Sequence, residues 1–282
     1  MTLAQALAKA SKLGLDRLDA QLLLLHALGR DHSDRGWLLA HDTDPLPPAN
    51  EAAYVALAQR RAAGEPLAYL TGHREFHGLD LQVDRRVLIP RPDTETLVDW
   101  TLDLLADTPQ AKVIDLGTGS GAIALALKQA RPDFEVVAID ASADALEVAQ
   151  ANAQHLRLKV QLQLGAWLQG VSGRFHAVVP NPPYIATHDS HLAALAHEPQ
   201  QSLTSGSDGL DDLRQIITQA PAHLFPGGWL LLEHGYNQAE PVRALLSDAG
   251  FVEVRSQRDL AGIERCSGGR VPTGATPPST KP

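Results

Sequence analysis

The run VIDLGTGSGAIALAL, residues 113–127, constrains the fold more than any other stretch of this chain. Val113, Ile114 and Leu116 read as a short buried strand, the segment from Ala122 to Leu127 reads as an apolar helix, and Gly117, Gly119 and Gly121 fill the joint between them. Glycine adopts left-handed backbone without a steric penalty and lets a ligand approach the main chain closely. A strand that ends in such a loop and leads into a helix is where open α/β sheets bind their cofactors. The flanking sequence continues the pattern from Asp93 onward. The spacing predicts helices over 94–106, 120–130, 143–155, 209–223 and 237–248. It predicts strands over 112–116, 135–139, 159–164, 176–180 and 228–233, with strand-like pieces near 251–257 and 263–271. Alternation of this kind argues for an α/β, doubly wound, Rossmann-like parallel sheet.

The chain before this region is different. Residues 1–72 carry only helical signals, with Leu3, Leu7 and Ala10 on one stripe, then LDAQLLLLHAL, DRGWLLA and ANEAAYVALAQRRAAG. Breakers at Gly14, Gly29 and Pro45 to Pro48 separate them, which predicts a small helical bundle. Residues 73–91 turn to short strand-like pieces about Gly78, a hairpin linker; residues 92–271 form the sheet domain; and the Pro- and Thr-rich residues 272–282 are expected to be a disordered tail.

Composition excludes little but narrows the setting. Cys266 is the one cysteine, so an intrachain disulfide and the cysteine-rich zinc patterns are excluded. The N-terminal MTLAQALAKASKLGLD lacks a basic segment followed by an apolar core, and no later run reaches the ~18 apolar residues of a membrane span. A cytoplasmic protein without a membrane partner is expected. A formal charge of −9 argues against non-specific wrapping of a nucleic-acid backbone, although a local basic patch is compatible with that total.

The glycine loop alone leaves two ligands open, because Gly117, Gly119 and Ala122 also satisfy the dinucleotide fingerprint. Two acids tilt the choice. Asp115 ends the strand just before the glycines, where a carboxylate suits a cationic amino acid moiety better than a pyrophosphate. Asp140 closes VVAID about twenty residues on and is placed for both hydroxyls of a ribose. A nucleoside with a positively charged tail describes S-adenosylmethionine.

A second motif stands at the end of the strand HAVVP. Pro180, Asn181, Pro182, Pro183 and Tyr184 form a stiff stop with few backbone donors, several carbonyls and one side-chain amide. Such a corner suits a planar N–H donor, an amide or an amino group on a ring. If this strand neighbours the first sheet strand across the reversal of strand order, NPPY and the glycine loop face each other over the ligand crevice.

DLGTGSG, NPPYI and the upstream RVLIPRPDTETLV together resemble the release factor glutamine methyltransferases of the HemK or PrmC type. The likeness extends from residue 1 to about 270 and includes EP, SDGLDDL, GGWLLLEHG and CSGGR. NPPY by itself is shared with adenine and cytosine amino-methyltransferases. The resemblance implies a class I S-adenosylmethionine-dependent methyltransferase domain acting on the side-chain nitrogen (N5) of the glutamine in the Gly-Gly-Gln loop of class I peptide chain release factors. It implies that Asn181, through its side-chain oxygen, and Pro182, through its carbonyl, accept the two amide hydrogens, with Tyr184 packed on the amide plane and Pro183 completing the substrate contact. It also implies cofactor contacts from Gly117, Thr118, Gly119, Ser120, Gly121, Asp140, Trp167 and Asn181, beside Asp115, and a substrate-docking role for the N-terminal helices.

Two positions depart from the family pattern: Ala166 stands where an acid usually precedes Trp167, and Pro180 where a small residue precedes Asn181. Other features suggest no further chemistry. His73 and His77 have metal-like spacing but fall in the hairpin, so no metal is expected. Asp208 in GSDGLDD is expected to cap or precede a helix rather than bind calcium. Glu198 suits either the pocket mouth or an exposed loop. Two alternatives stand beside the main reading: an adenine N6-methyltransferase of DNA or RNA, and a weakly active S-adenosylmethionine-binding homologue.

Overall fold

The computed structural model describes residues 1–274, and most of the tail expected over 272–282 lies outside the described residues. The chain divides into two compact units, one of residues 1–73 and one from Arg74 onward.

The first unit is helical: α1 (Leu3–Lys12), α2 (Arg17–Ala27), α3 (Arg35–Ala40), α4 (Pro48–Ala62) and α5 (Leu67–Thr71). Thr2 and Gln5 form a reciprocal capping box on α1, and the Asp16 side chain caps α2. Leu3, Leu23, Leu24, Leu25, Leu38 and Tyr54 supply its core.

At the start of the second unit β1 (His73–Phe76) and β2 (Leu79–Gln82) make a two-stranded sheet. Then follow α6 (Glu95–Leu104), β3 (Lys112–Leu116), α7 (Ala122–Ala130), β4 (Glu135–Asp140), α8 (Ala143–Leu156) and β5 (Gln161–Leu164). The chain continues through β6 (Phe175–Pro180), α9 (Asp211–His223), β7 (Leu224–Glu233), α10 (Ala239–Asp248), β8 (Val252–Arg258) and β9 (Glu264–Arg270). Seven strands form one sheet in the order β5-β4-β3-β6-β7-β9-β8. Apolar layers cover both faces: Leu97, Val98, Leu125 and Phe134 belong to one, Leu213, Ile216, Val242 and Leu246 to the other.

The expectation of an all-parallel sheet is corrected at one edge. β3, β4, β5, β6 and β7 are parallel, but β9 runs antiparallel to both β7 and β8. The reason is local. Only residues 259–263 join β8 to β9, too short a link for a parallel crossover, so the chain must turn back on itself. Several boundaries also move by a few residues, and two have a visible cause. α7 begins at Ala122 because Gly121 has φ +86°, which is not helical, and β7 begins at Leu224 because that residue already pairs with Phe175 of β6.

The strand order reverses between β3 and β6. From β3 the chain builds outward through β4 and β5; from β6 it builds the other way through β7. Asp115 lies opposite Val179 and Leu116 opposite Pro180, so both strands end level and both leave their following loops at the same crevice.

Candidate active site

The glycine loop begins one residue after Leu116. The N–H groups of Gly117 and Thr118 both donate to the Ile139 carbonyl, at 2.8 and 2.9 Å, which curls the loop over the end of β4. Gly117 has φ +73°, and a Cβ there would meet the Trp167 ring at 3.4 Å. Asp140 organises the other side. One oxygen of its carboxylate accepts from the Gly119 N–H at 2.8 Å and the other from the Ser142 N–H at 2.9 Å. That fixes the carboxylate in the crevice while each oxygen keeps a lone pair for another donor.

Asp115 stands behind this loop, fully buried. Its Oδ2 accepts from the Thr118 hydroxyl at 2.6 Å and from the Ala124 N–H at 3.2 Å, whereas Oδ1 is buried with no hydrogen-bond partner. Burial pushes its pKa up to about 7, against the two hydrogen bonds that favour its charge. A buried acceptor without a donor is costly, and positive charge held at the loop would offset that cost.

A cavity of about 300 Å³ opens over these residues, a volume typical of small-molecule sites. Gly117, Gly119, Asp140, Trp167, Asn181 and Pro183 all contribute to its wall. Thr118, Ser120, Gly121 and Asp115 do not: Thr118 and Ser120 are buried behind the wall with Asp115, and Gly121 is the N-cap residue of α7. Trp167 has φ +51° and donates its indole N–H to Asp212 Oδ1 at 3.0 Å. Asp212 is in turn held by Ser205, whose hydroxyl meets its Oδ2 at 2.6 Å. Ala166 lines the same cavity beside them.

A second, smaller cavity of about 120 Å³ is lined by Arg91, Asn181, Pro182, Tyr184 and Glu233 among others. The two cavities share Leu88, Asn181 and Ser202, so Asn181 stands on the wall of both. Its Nδ2 donates to Thr94 Oγ1 at 3.3 Å, leaving Oδ1 as a free-standing acceptor. The loop that follows is pinned from behind. The Tyr184 carbonyl accepts from Gln238 Nε2 at 3.0 Å, and a Cβ on Gly209 would strike that carbonyl at 2.2 Å. The Tyr184 hydroxyl donates to Glu233 Oε1 at 3.2 Å. Burial and the neighbouring Glu233 charge raise the tyrosine pKa, so it stays protonated.

Three secondary features resolve as well. Glu198 is buried; it accepts from the Ile89 N–H and pairs with Arg91, itself on the smaller cavity. Asp208 precedes α9 by three residues and, instead of capping it, accepts from the Leu210 N–H and pairs with Arg214. His77 meets Asp99 at 2.9 Å, and among the described residues no group of His, Cys, Asp and Glu side chains is arranged to hold a metal ion. No described helix is long and apolar enough to cross a membrane.

Sequence reasoning missed Thr94, Asp212, Glu233 and Gln238. Thr94 lies within the RPDTE segment and Glu233 within LLLEHG, but neither has a spacing that announces a contact with NPPY.

Comparison with known proteins decides the family. The methyltransferase small domain family matches residues 95–257, and the PrmC N-terminal domain family matches residues 2–72. A release factor glutamine methyltransferase of Bordetella pertussis is 53% identical over 260 residues, covering 91% of this chain and 95% of the relative. The chain belongs to the release factor glutamine methyltransferase family. A second relative of that name, from Burkholderia pseudomallei, is 50% identical, with 92% of this chain and 93% of the relative covered. A solved methyltransferase from Pyrococcus furiosus shares the fold, with a TM-score of 0.52 at 19% identity over 69% of this chain and 90% of that one.

Proposed function

We propose that this protein transfers a methyl group from S-adenosylmethionine to the side-chain amide nitrogen (N5) of the glutamine in the Gly-Gly-Gln loop of class I peptide chain release factors. The observation that carries the reading is the position of Asn181, shared by a cavity of cofactor size and a smaller one walled by the rest of NPPY. S-adenosylmethionine, when bound, supplies an electrophilic methyl group. The residues fit it. Asp140 offers lone pairs to the ribose hydroxyls, Trp167 borders the nucleoside side of the cavity, and from behind the wall the buried Asp115 carboxylate supplies negative charge that suits its ammonium group.

An amide nitrogen is a weak nucleophile because its lone pair is delocalised, so the protein's task is to orient it and favour the charge that builds on it. Asn181 Oδ1 and the Pro182 carbonyl accept the two amide hydrogens, and Tyr184 packs on the amide plane. Pro182 and Pro183 stiffen the corner, so little ordering remains to be done when the glutamine enters. The N-terminal helical unit offers a docking surface for the protein substrate, and the reaction takes place in the cytoplasm, with no membrane and no direct nucleic-acid partner.

The test is transfer of isotope-labelled methyl to a purified release factor, its Gln-to-Ala loop variant and a DNA duplex, side by side. Label in the intact release factor alone is expected. Equal label in the Gln-to-Ala variant, or label only in DNA, would overturn the reading.

A further inference from the structure

Two segments far apart in sequence help to wall the smaller cavity beside NPPY. Leu88 and Arg91 come from the stretch before α6, and Leu195, Ser202 and Leu203 from the stretch between β6 and α9. Glu198 ties the two together. Its side chain is just 3% exposed; Oε2 accepts from the Ile89 N–H at 3.2 Å, and Oε1 accepts from the Arg91 guanidinium. A carboxylate buried this far needs such partners. Arg91, by contrast, keeps 35% of its side-chain surface open. Among the described residues its guanidinium makes no other hydrogen bond, so one N–H of a planar fork of five is spent and the rest remain available.

The smaller cavity is otherwise short of side-chain donors. Asn181 turns its NH₂ to Thr94, the Tyr184 hydroxyl is committed to Glu233, and Pro182 has no N–H at all. What remains on the wall is the Ser202 hydroxyl and the Arg91 guanidinium, of which only the latter carries charge. A glutamine delivered on a peptide loop brings acceptors as well as donors: its side-chain carbonyl and the main-chain carbonyls on either side. Chemistry separates the two. A cation on the side-chain carbonyl would draw the nitrogen lone pair further into the amide and slow its attack on the methyl group. A cation on a main-chain carbonyl leaves the reacting amide alone and holds the loop.

We propose that Arg91 binds the protein substrate by donating to a main-chain carbonyl of the Gly-Gly-Gln segment, and that Glu198 is a positioning residue that aims the guanidinium. The inference rests on the function proposed above and deepens it, because it adds to the acceptors of NPPY a donor for the chain that carries the glutamine. Glycines suit this partner: a backbone without side chains lets a guanidinium reach its carbonyls closely. Such a contact is equal in the ground state and the transition state, so its loss raises KM and spares kcat. Glu198 touches no substrate, and its effect on KM passes through Arg91.

The experiment compares the full-length wild type with Arg91→Met, Glu198→Gln and the double variant, measuring kcat and KM on a purified release factor at saturating S-adenosylmethionine. Thermal melting and calorimetric affinity for S-adenosylmethionine check the fold. Arg91→Met should raise KM about ten- to thirtyfold, the lower range for a hydrogen bond from a charged group, with kcat within about threefold of wild type. Glu198→Gln keeps an acceptor for Arg91 but gives up the charge, and should raise KM about three- to fivefold. In the Arg91→Met background the same change should move KM by less than about twofold, because the group it aims is gone. Arg91→Met leaves Glu198 buried without its partner; if that variant fails to fold, the double variant, with neither charge, must show the ten- to thirtyfold rise by itself. A wild-type KM in Glu198→Gln or in a folded variant lacking Arg91, a loss confined to kcat, or a full Glu198 effect without Arg91 overturns the proposal. Lost cofactor affinity in the double variant overturns it as well, since the pair would then be holding the fold. A wild type that never methylates the release factor overturns the functional reading itself, and this inference with it.

Discussion

Replacing Asp115 by Asn should stabilise the cofactor-free protein at neutral and alkaline pH while weakening its grip on S-adenosylmethionine. Asp115 is fully buried, and its pKa rises from the ordinary 3.8 to about 7, chiefly through loss of hydration. At 1.36 kcal/mol per pH unit, that rise is a cost of about 4 kcal/mol for keeping the charge in the folded state. The sign follows from proton binding. The folded protein holds this proton up to about pH 7, the unfolded chain releases it near pH 4, and so stability falls as pH rises through that window and is level above it. Asparagine at 115 is neutral throughout. Its oxygen can keep the bonds from Thr118 and the Ala124 N–H, and its NH₂ takes the place of the unpartnered Oδ1. The stability advantage of Asp115→Asn should therefore grow by about 3 kcal/mol between pH 4.5 and pH 8, or roughly 6–12 °C in melting temperature for a unit of this size. Glu233 titrates in the same range but is common to both proteins and cancels. Thermal unfolding of both proteins at the two pH values, followed by cofactor titration calorimetry at pH 8, makes the comparison. Cofactor affinity should drop about tenfold, because a neutral side chain behind the loop no longer attracts the ammonium group of the cofactor. A stability difference that does not change with pH, or an Asn variant that melts lower at pH 8, would refute the account of Asp115.

Asn181→Ala removes the acceptor shared by both cavities and should lower kcat by about 10²–10³, read by steady-state methylation of a release factor; near-normal turnover would remove Asn181 from its assigned role. Ala166→Asp places a carboxylate on the wall of the main cavity, and calorimetry at pH 7 should show S-adenosylmethionine bound about tenfold more tightly, with unchanged or weaker affinity meaning that position 166 does not face the adenine. Removing residues 1–72 should raise KM for the release factor and leave cofactor affinity intact, so a truncated protein that no longer binds S-adenosylmethionine would contradict the docking role given to the helical unit.

The sheet domain was legible where one residue type can fill one role. β3 is found at 112–116 as expected, because an apolar run followed by left-handed glycines has few other solutions. The crevice was legible too, since the level ends of β3 and β6 follow from chain order once the sheet is doubly wound. The antiparallel β9 was not, because strand-like residues carry no mark of direction and only the short 259–263 link reveals it. Asp115 was read as a cofactor acid at the strand end, and there it stands, but its full burial and the bonds one oxygen takes from Thr118 and Ala124 are announced by no local spacing. Thr94 and Glu233 were invisible for a related reason. Each meets NPPY only through the packing of the turn before α6 and the end of β7, from positions 87 residues before Asn181 and 49 after Tyr184.

The central claim is that the NPPY corner, with Asn181 at its head, presents one protein amide to the methyl donor. Peptide mapping by tandem mass spectrometry of a release factor incubated with this protein and S-adenosylmethionine tests it most directly. The account predicts a single methyl group on the side-chain nitrogen of the Gly-Gly-Gln glutamine, lost when Asn181→Ala replaces the wild type. A methyl group on another residue, or an equal yield on that glutamine from Asn181→Ala, would contradict it.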